Sequence, residues 1–373
     1  MTAFFPPEVG GLQTYSYRVA KAFCENDPKT RVTVVTTHVG EHSDETDRNI
    51  RIIKLAKSKL PTSFLRNIHN KIRSIRFLFS ITHEKFDFTH STTWHIPAIF
   101  RNWYRKTPIA VSVHGAEVFD ISHDKLDRMR SVFRQAAVTV SVSKPIRLKF
   151  EALLGFEPTC SAVAWNGVSF SAADQKADLA MDPTKILSVC RLISRKNVER
   201  AIRALAILRD ENIPFQFNIA GSGPLRDDLQ QLITELNLTE RVALLGWVDD
   251  NQLLHEYRTS GVFLHPQIAL ADGGDIEGFG ISIADAMFFG ACPIAGKSGG
   301  PSDFIEDGVT GRLVDGESVA EIADALRDVL TDHPLQRRLG SAAKDFAETQ
   351  LSWGAHAAKI VELVRRSTET SDS

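Results

Sequence analysis

Short runs of β-branched and apolar residues alternate along this chain with longer stretches in which apolar positions recur every third or fourth residue. Residues 31–37, 86–90, 109–113 and 138–142 read as buried strands, with helix-period segments at 13–24 and 126–136 among them. The same rhythm returns at 185–190, 215–220, 242–245, 262–265 and 292–295. Strands that are apolar throughout belong in a sheet covered on both faces, and regular alternation with helices makes that sheet parallel. The pattern predicts an α/β chain of two doubly wound, Rossmann-like units.

The turn Trp165-Asn-Gly-Val-Ser169 precedes a polar, Ala- and Asp-rich stretch ending at Pro183, which sets the boundary between the units, with a hinge at Asn166 and Gly167. The expected division is 1–165, 166–351 and a terminal segment 352–373, whose helix over 352–366 follows a Ser cap and leaves a frayed tail. A doubly wound unit opens on a strand, yet the first glycine loop, Pro6-Pro-Glu-Val-Gly10-Gly11, arrives almost at once after Met1. The first strand is missing or reduced to Thr2-Ala-Phe-Phe5: either the start is late or the unit lacks a central strand.

Composition narrows the class. The chain has 373 residues, 43% of them hydrophobic and 24% charged, and a net charge of −2. That small sum hides +9 over residues 1–165 against −11 over 166–373, so the halves face different partners or each other. Cys24, Cys160, Cys190 and Cys292 are widely spaced, which suggests neither a disulfide framework nor a zinc site. No apolar run is long enough to span a bilayer and no basic-then-apolar leader opens the chain, so a cytoplasmic protein is expected.

Ligands of an open parallel sheet sit beyond the carboxyl ends of its strands, so the loops there are the places to look. The most informative is Glu277-Gly-Phe-Gly-Ile-Ser-Ile-Ala-Asp285, two carboxylates around a glycine-rich helix start. Gly278 and Gly280 let a ligand approach helix amides, an anion site, and the carboxylates suit vicinal hydroxyls. A phosphorylated sugar has both. Gly10 and Gly11 lead into another helix and present amides to a phosphate, or simply make a tight turn. His114, after the strand ending at Val113, faces a ligand hydroxyl or solvent. Arg191 and Lys196 follow the strand ending at Cys190 and match the two charges of a diphosphate, with Arg195 between them read as facing solvent. Gly273-Gly274 reads as a mobile flap.

Gly10-Gly11, His114-Gly-Ala-Glu117, Arg191 with Lys196, Gly221-Ser-Gly-Pro224, the Glu277/Asp285 pair and residues 299–314 resemble, in order and spacing, the retaining GT-B glycosyltransferases of family 4 over nearly the whole chain. The resemblance implies an N-terminal acceptor-binding domain, a C-terminal nucleotide-sugar domain and a last helix that crosses back. It implies that Gly11 touches the donor diphosphate, that Arg191 and Lys196 neutralise it, and that His114 contacts the transferred sugar. Glu277 then meets the sugar hydroxyls, with Phe279 and Gly280 offering amides, and Asp285 meets the ribose, one methylene short of the usual glutamate. No Asp-x-Asp triplet occurs, so transfer without a metal or other cofactor is expected. Retention is implied by the resemblance.

Residues 51–85 hold nine Lys/Arg against one acid, interleaved with apolar positions. They form either a basic amphipathic surface for an anionic membrane or a solvated face over an ordinary core stripe. Membrane contact fits a lipid-linked acceptor in bacterial surface polysaccharide or glycolipid synthesis and a peripheral place at the inner membrane face; no nucleic-acid partner is expected. Two rivals share the architecture: a nucleotide-sugar 2-epimerase, and an inactive transferase-like subunit.

Overall fold

The computed structural model describes residues 1–2, 5–6, 10–38, 43–56, 84–99, 107–115, 122–175, 180–270 and 275–369. Helix α1 (Gly11–Asn26) opens the fold, followed by β1 (Val32–His38), β2 (Ser43–Asp47) and β3 (Ile50–Ala56). These make a small sheet in the order β1-β3-β2, with β1 parallel and β2 antiparallel to β3. A second sheet, all parallel, runs β4 (Thr89–Ser91), β5 (Ile109–Val113), β6 (Val138–Ser141), β7 (Ser161–Val163). It carries α2 (His95–Ile99), α3 (His123–Phe133) and α4 (Lys144–Leu154), the last stopped by Gly155 at φ 75°.

The C-terminal half is a single six-stranded sheet in the order β10-β9-β8-β11-β12-β13, parallel throughout. Its strands are β8 (Asp182–Val189), β9 (Gln216–Ala220), β10 (Val242–Gly246), β11 (Ser260–His265), β12 (Cys292–Gly296) and β13 (Arg312–Val314). Between them lie α5 (Val198–Asp210), α6 (Arg226–Glu235), α7 (Asp250–Thr259) and α8 (Ile281–Phe289), and after them α9 (Val319–Thr331), α10 (His333–Gln350) and α11 (Trp353–Glu369). Every residue of β11 and β12 is buried, as the unbroken apolar runs require. Asp249, Ser318 and Asp332 cap α7, α9 and α10 by accepting from the amides of Gln252, Glu321 and Leu335.

Two differences from the sequence expectation matter. The β2–β3 hairpin escapes a search for apolar runs because β2 is nearly all polar and exposed. It also takes the first part of the basic 51–85 stretch: Arg51 sits on β3 and pairs with Asp44 and Glu84, both at 2.6 Å, and Lys54 pairs with Glu45 at 3.2 Å. Those two cations are spoken for within the small sheet. Residues 57–83, the middle of that stretch, and the Gly273-Gly274 flap lie outside the described residues.

The halves are crossed twice. Val168, just past the turn at Asn166 and Gly167, donates its amide to Leu351 O at 3.1 Å, and Trp353 Nε1 donates to Val168 O at 2.9 Å. Gly167 lies so close to Trp353 that a Cβ there would fall 2.3 Å from the Trp353 nitrogen. From that point α11 runs along α1, and Tyr15 of α1 bonds His356 of α11 at 2.8 Å. One apolar core runs through both halves, from Tyr15 and Phe133 to Phe263, Phe289 and Ile360.

Candidate active site

At the carboxyl ends of β8 and β11 four side chains close on one another. Glu277 Oε2 accepts from Arg195 Nη1 at 2.8 Å and from Lys196 Nζ, and lies 3.3 Å from His265 Nε2. Lys196 Nζ is 3.4 Å from the same imidazole nitrogen, and Arg195 Nε is 2.9 Å from Asp275 Oδ2. All four are largely buried: side-chain exposure is 13% for Arg195, 12% for Lys196, 1% for His265 and 11% for Glu277. Burial alone drives the Glu277 carboxyl up, but Lys196, the His265 hydrogen bond and Arg195 together outweigh it and hold the group well below the usual carboxylate range. Burial, helped by the Lys196 charge, pushes His265 down to about 4, so its imidazole is neutral at pH 7.

The backbone explains why these residues converge. Ser194–Lys196 is one turn of 3-10 helix closed by Asn197 at φ 58°, which aims residues 195 and 196 back across the strand ends. Asn197 Nδ2 donates to Pro266 O and Gly316 O, and the Ile268 amide donates to Arg195 O, so the loop after β8 is fastened to the loop after β11. Gln267 adds bonds to Gly296 on β12. The cluster rests on three neighbouring strands.

Gly278, beside Glu277, is where the two halves touch. A Cβ there would sit 1.9 Å from His114 O, and its own carbonyl accepts from Ser143 Oγ at 2.7 Å. The glycine is needed for backbone against backbone, whereas the sequence pointed to a ligand's approach. Gly280 caps α8 at φ 91°, and its carbonyl accepts from the Ile283 and Ala284 amides at 2.9 and 3.2 Å. Phe279 turns its ring inward against Phe304, with centroids 4.7 Å apart. His114 packs edge-on against Tyr15 at 4.2 Å, and burial, with His356 nearby, pushes it down to about 3. Gly10 and Gly11 are exposed at the start of α1, the helix that carries Tyr15.

One sequence reading changes, that of Arg195, and Arg191 and Asp285 take places the sequence did not show. Arg195, assigned to solvent, is in the cluster; Arg191, paired with Lys196 on spacing, is exposed and makes no ion pair among the described residues. Asp285 is buried one turn into α8, where its Oδ1 accepts the Ser169 amide at 2.6 Å, so the carboxylate holds the interdomain link. Burial raises it to about 7 against the opposing pull of the Ser169 bonds and Arg18. His265 went unassigned although it had the signal used for His114, a polar residue at the carboxyl end of an apolar strand.

Residues 169–346 match the family described as glycosyl transferases group 1, and residues 9–171 match glycosyltransferase family 4. The chain is 30% identical over 270 residues, 69% of each chain, to the GDP-mannose-dependent alpha-(1-6)-phosphatidylinositol monomannoside mannosyltransferase of Mycobacterium tuberculosis. It is 32% identical over 267 residues to the alpha-D-kanosaminyltransferase of Streptomyces kanamyceticus, covering 68% of this chain and 67% of that one. Its fold is similar to that of sucrose-phosphate synthase from Thermosynechococcus elongatus, with a TM-score of 0.77 at 20% identity over 97% of this chain and 94% of that one. It is also similar to Anabaena HepE in complex with UDP, with a TM-score of 0.73 at 18% identity over 98% and 99%. The sheets described above are those of the GT-B architecture.

Proposed function

The chain belongs to the group 1 glycosyltransferases, and from that membership we propose that it moves a hexose from a nucleoside-diphosphate sugar to a hydroxyl of a glycan or lipid-linked acceptor, without a metal ion and with retention at the anomeric carbon. That it is a glycosyltransferase follows from the family; donor, acceptor and stereochemistry are our reading. The observation that carries it is the buried carboxylate of Glu277 between Arg195, Lys196 and His265. An ionised carboxylate in a place with little water is a strong acceptor for sugar hydroxyls, and fixed cations beside it stabilise charge growing on a departing diphosphate. The anomeric carbon–phosphate oxygen bond breaks, the acceptor oxygen bonds to the same face, and its proton passes to the leaving phosphate. Lys196, with Arg195 or Arg191, takes the part that a bridging metal has elsewhere; the sequence holds no Asp-x-Asp triplet.

A lipid-linked acceptor is supported by the relative whose name gives a phosphatidylinositol mannoside as acceptor. Among the described residues no helix is long and apolar enough to cross a membrane, so such an acceptor would be met at the bilayer surface, which we place on the cytoplasmic side. A panel of GDP-mannose and UDP-hexoses, scored by acceptor-dependent release of nucleoside diphosphate and by NMR of the product anomer, tests the reading. Release with an α-linked product from an α-linked donor is expected. An inverted anomer removes retention, and no release from any donor removes the whole proposal.

A further inference from the structure

A row of polar side chains runs through the N-terminal half and ends at the turn between the halves. His90, on β4, brings its Nε2 to 2.8 Å from Ser112 Oγ on β5. Ser112 Oγ is 2.7 Å from the Tyr15 hydroxyl on α1, and that hydroxyl is 2.8 Å from His356 Nε2 on α11. His356 Nδ1 then lies 3.0 Å from the backbone oxygen of Trp165, the first residue of the turn. The row ties two strands and two helices to the interdomain link. None of these groups belongs to the cluster around Glu277.

The last member fixes the sense of every bond. A carbonyl oxygen only accepts, so His356 Nδ1 carries the proton. Burial pushes His356 down to about 4, so the ring is neutral at pH 7, its Nε2 accepts, and the Tyr15 hydroxyl donates to it. Tyr15 has then used its one proton, so Ser112 donates to Tyr15 and His90 Nε2 donates to Ser112. Burial, with the Met1 amine, His356 and His114 nearby, keeps His90 well below the ordinary histidine range, so it too is neutral. Reversing any one bond would set two lone pairs against each other within hydrogen-bond distance. In a chain of this kind each donor polarises the next, and the groups along it are held in one arrangement.

What the chain holds is the Tyr15 ring. That ring stands edge-on to His114 with centroids 4.2 Å apart, and Trp353 meets it at 5.6 Å from the second crossing between the halves. The His114 carbonyl in turn abuts Gly278, next to Glu277. We propose that Tyr15 and His356 are positioning residues for sugar transfer: through a one-way chain of hydrogen bonds anchored on the Trp165 carbonyl they set the His114 ring at the cleft, so that its orientation answers to the turn between the halves. The proposal rests on the glycosyl-transfer reading above. Both residues act through His114 and neither needs to meet the substrate.

Two-bond ¹H–¹⁵N NMR of the full chain at pH 7 reads the tautomers directly. His356 with its proton on Nδ1 and His90 with its proton on Nε2 are expected, and the opposite tautomer at either ring overturns the chain. Tyr15→Phe keeps the ring against His114 and removes the hydroxyl. Its kcat should fall at least about tenfold, the effect of a slightly misplaced group, while the Kd for nucleoside diphosphate stays that of the parent. The melting temperature should drop by only a few degrees. His356→Leu should show the same loss, and His356→Gln, whose amide oxygen accepts from Tyr15, should recover most of it. Tyr15→Phe combined with His356→Leu should lose no more than either alone, because both cut one chain. Parental kcat in Tyr15→Phe, no recovery in His356→Gln, or additive losses in the double variant each overturn the positioning role. A parent that releases nucleoside diphosphate from no donor ends the transfer reading and the positioning role with it, whereas the tautomers still decide the chain.

Discussion

At the scale of single residues, the cluster around Glu277 makes two substitutions diverge. Lys196→Ala leaves Glu277 with Arg195 and His265, so the fold should tolerate it while kcat falls by about 100-fold or more, the size typical of removing one donor from a charge-stabilising site. Glu277→Gln instead strands two buried cations and should cost about 3–5 kcal/mol of stability in urea denaturation. Full activity in the first variant, or an unchanged urea midpoint in the second, would show that the cluster is not what it is taken to be. His114 and Lys196 were legible in the sequence because each follows an apolar strand, and Glu277 because it precedes a glycine-rich helix start. The partnership was not: residues 191, 195 and 196 all follow β8, and only the 3-10 turn closed by Asn197 decides that 195 and 196 turn inward while 191 faces water. A left-handed Asn cannot be read from spacing.

At the scale of elements, α8 is fastened to the interdomain link through Asp285, and this has a pH signature. A carboxyl raised to about 7 in the fold binds its proton there while the unfolded chain has released it, so between about pH 4 and 7 Asp285 makes stability fall with rising pH, by up to about 1.4 kcal/mol per unit. The buried histidines act in the opposite sense: with His265 and His356 depressed to about 4, the unfolded chain takes up protons first, and stability is lost as pH falls below about 6.5. Asp285→Asn keeps an oxygen for the Ser169 amide and removes only the first effect. The variant should therefore gain stability relative to the parent from pH 5 to pH 8; parallel urea-midpoint profiles would refute the assignment. Most elements were legible as apolar runs, and nearly all the strands so read are present. The β2–β3 hairpin was not, since its outer strand is polar and its inner strand carries Arg51 and Lys54, whose partners come from distant positions.

At the scale of the whole molecule, the opposite charges of the two halves and the close contact at Gly278 bear on how they meet. Gly278→Ala drives a methyl into the His114 carbonyl, so the halves must part; small-angle scattering should give a larger radius of gyration, and the shared core should make the urea midpoint fall with it. An unchanged radius would mean that the loop shifts instead. Activity undiminished by EDTA is expected for metal-free transfer, and strict Mg²⁺ dependence would refute it. Co-flotation with anionic liposomes at low salt is expected if residues 57–83 supply the membrane-facing cations; with Arg51 and Lys54 engaged in the small sheet, the remaining basic residues there must carry it.

The two crossings between the halves, at residues 166–169 and 351–353, are bonded to each other through Val168, Leu351 and Trp353. A body held by one tether can swivel about three axes, whereas a door hung on two adjacent pins has one swing left. With α11 laid along α1 as the door's frame, opening and shutting become the same path travelled in two directions. A substrate entering and a product leaving must then share a single doorway.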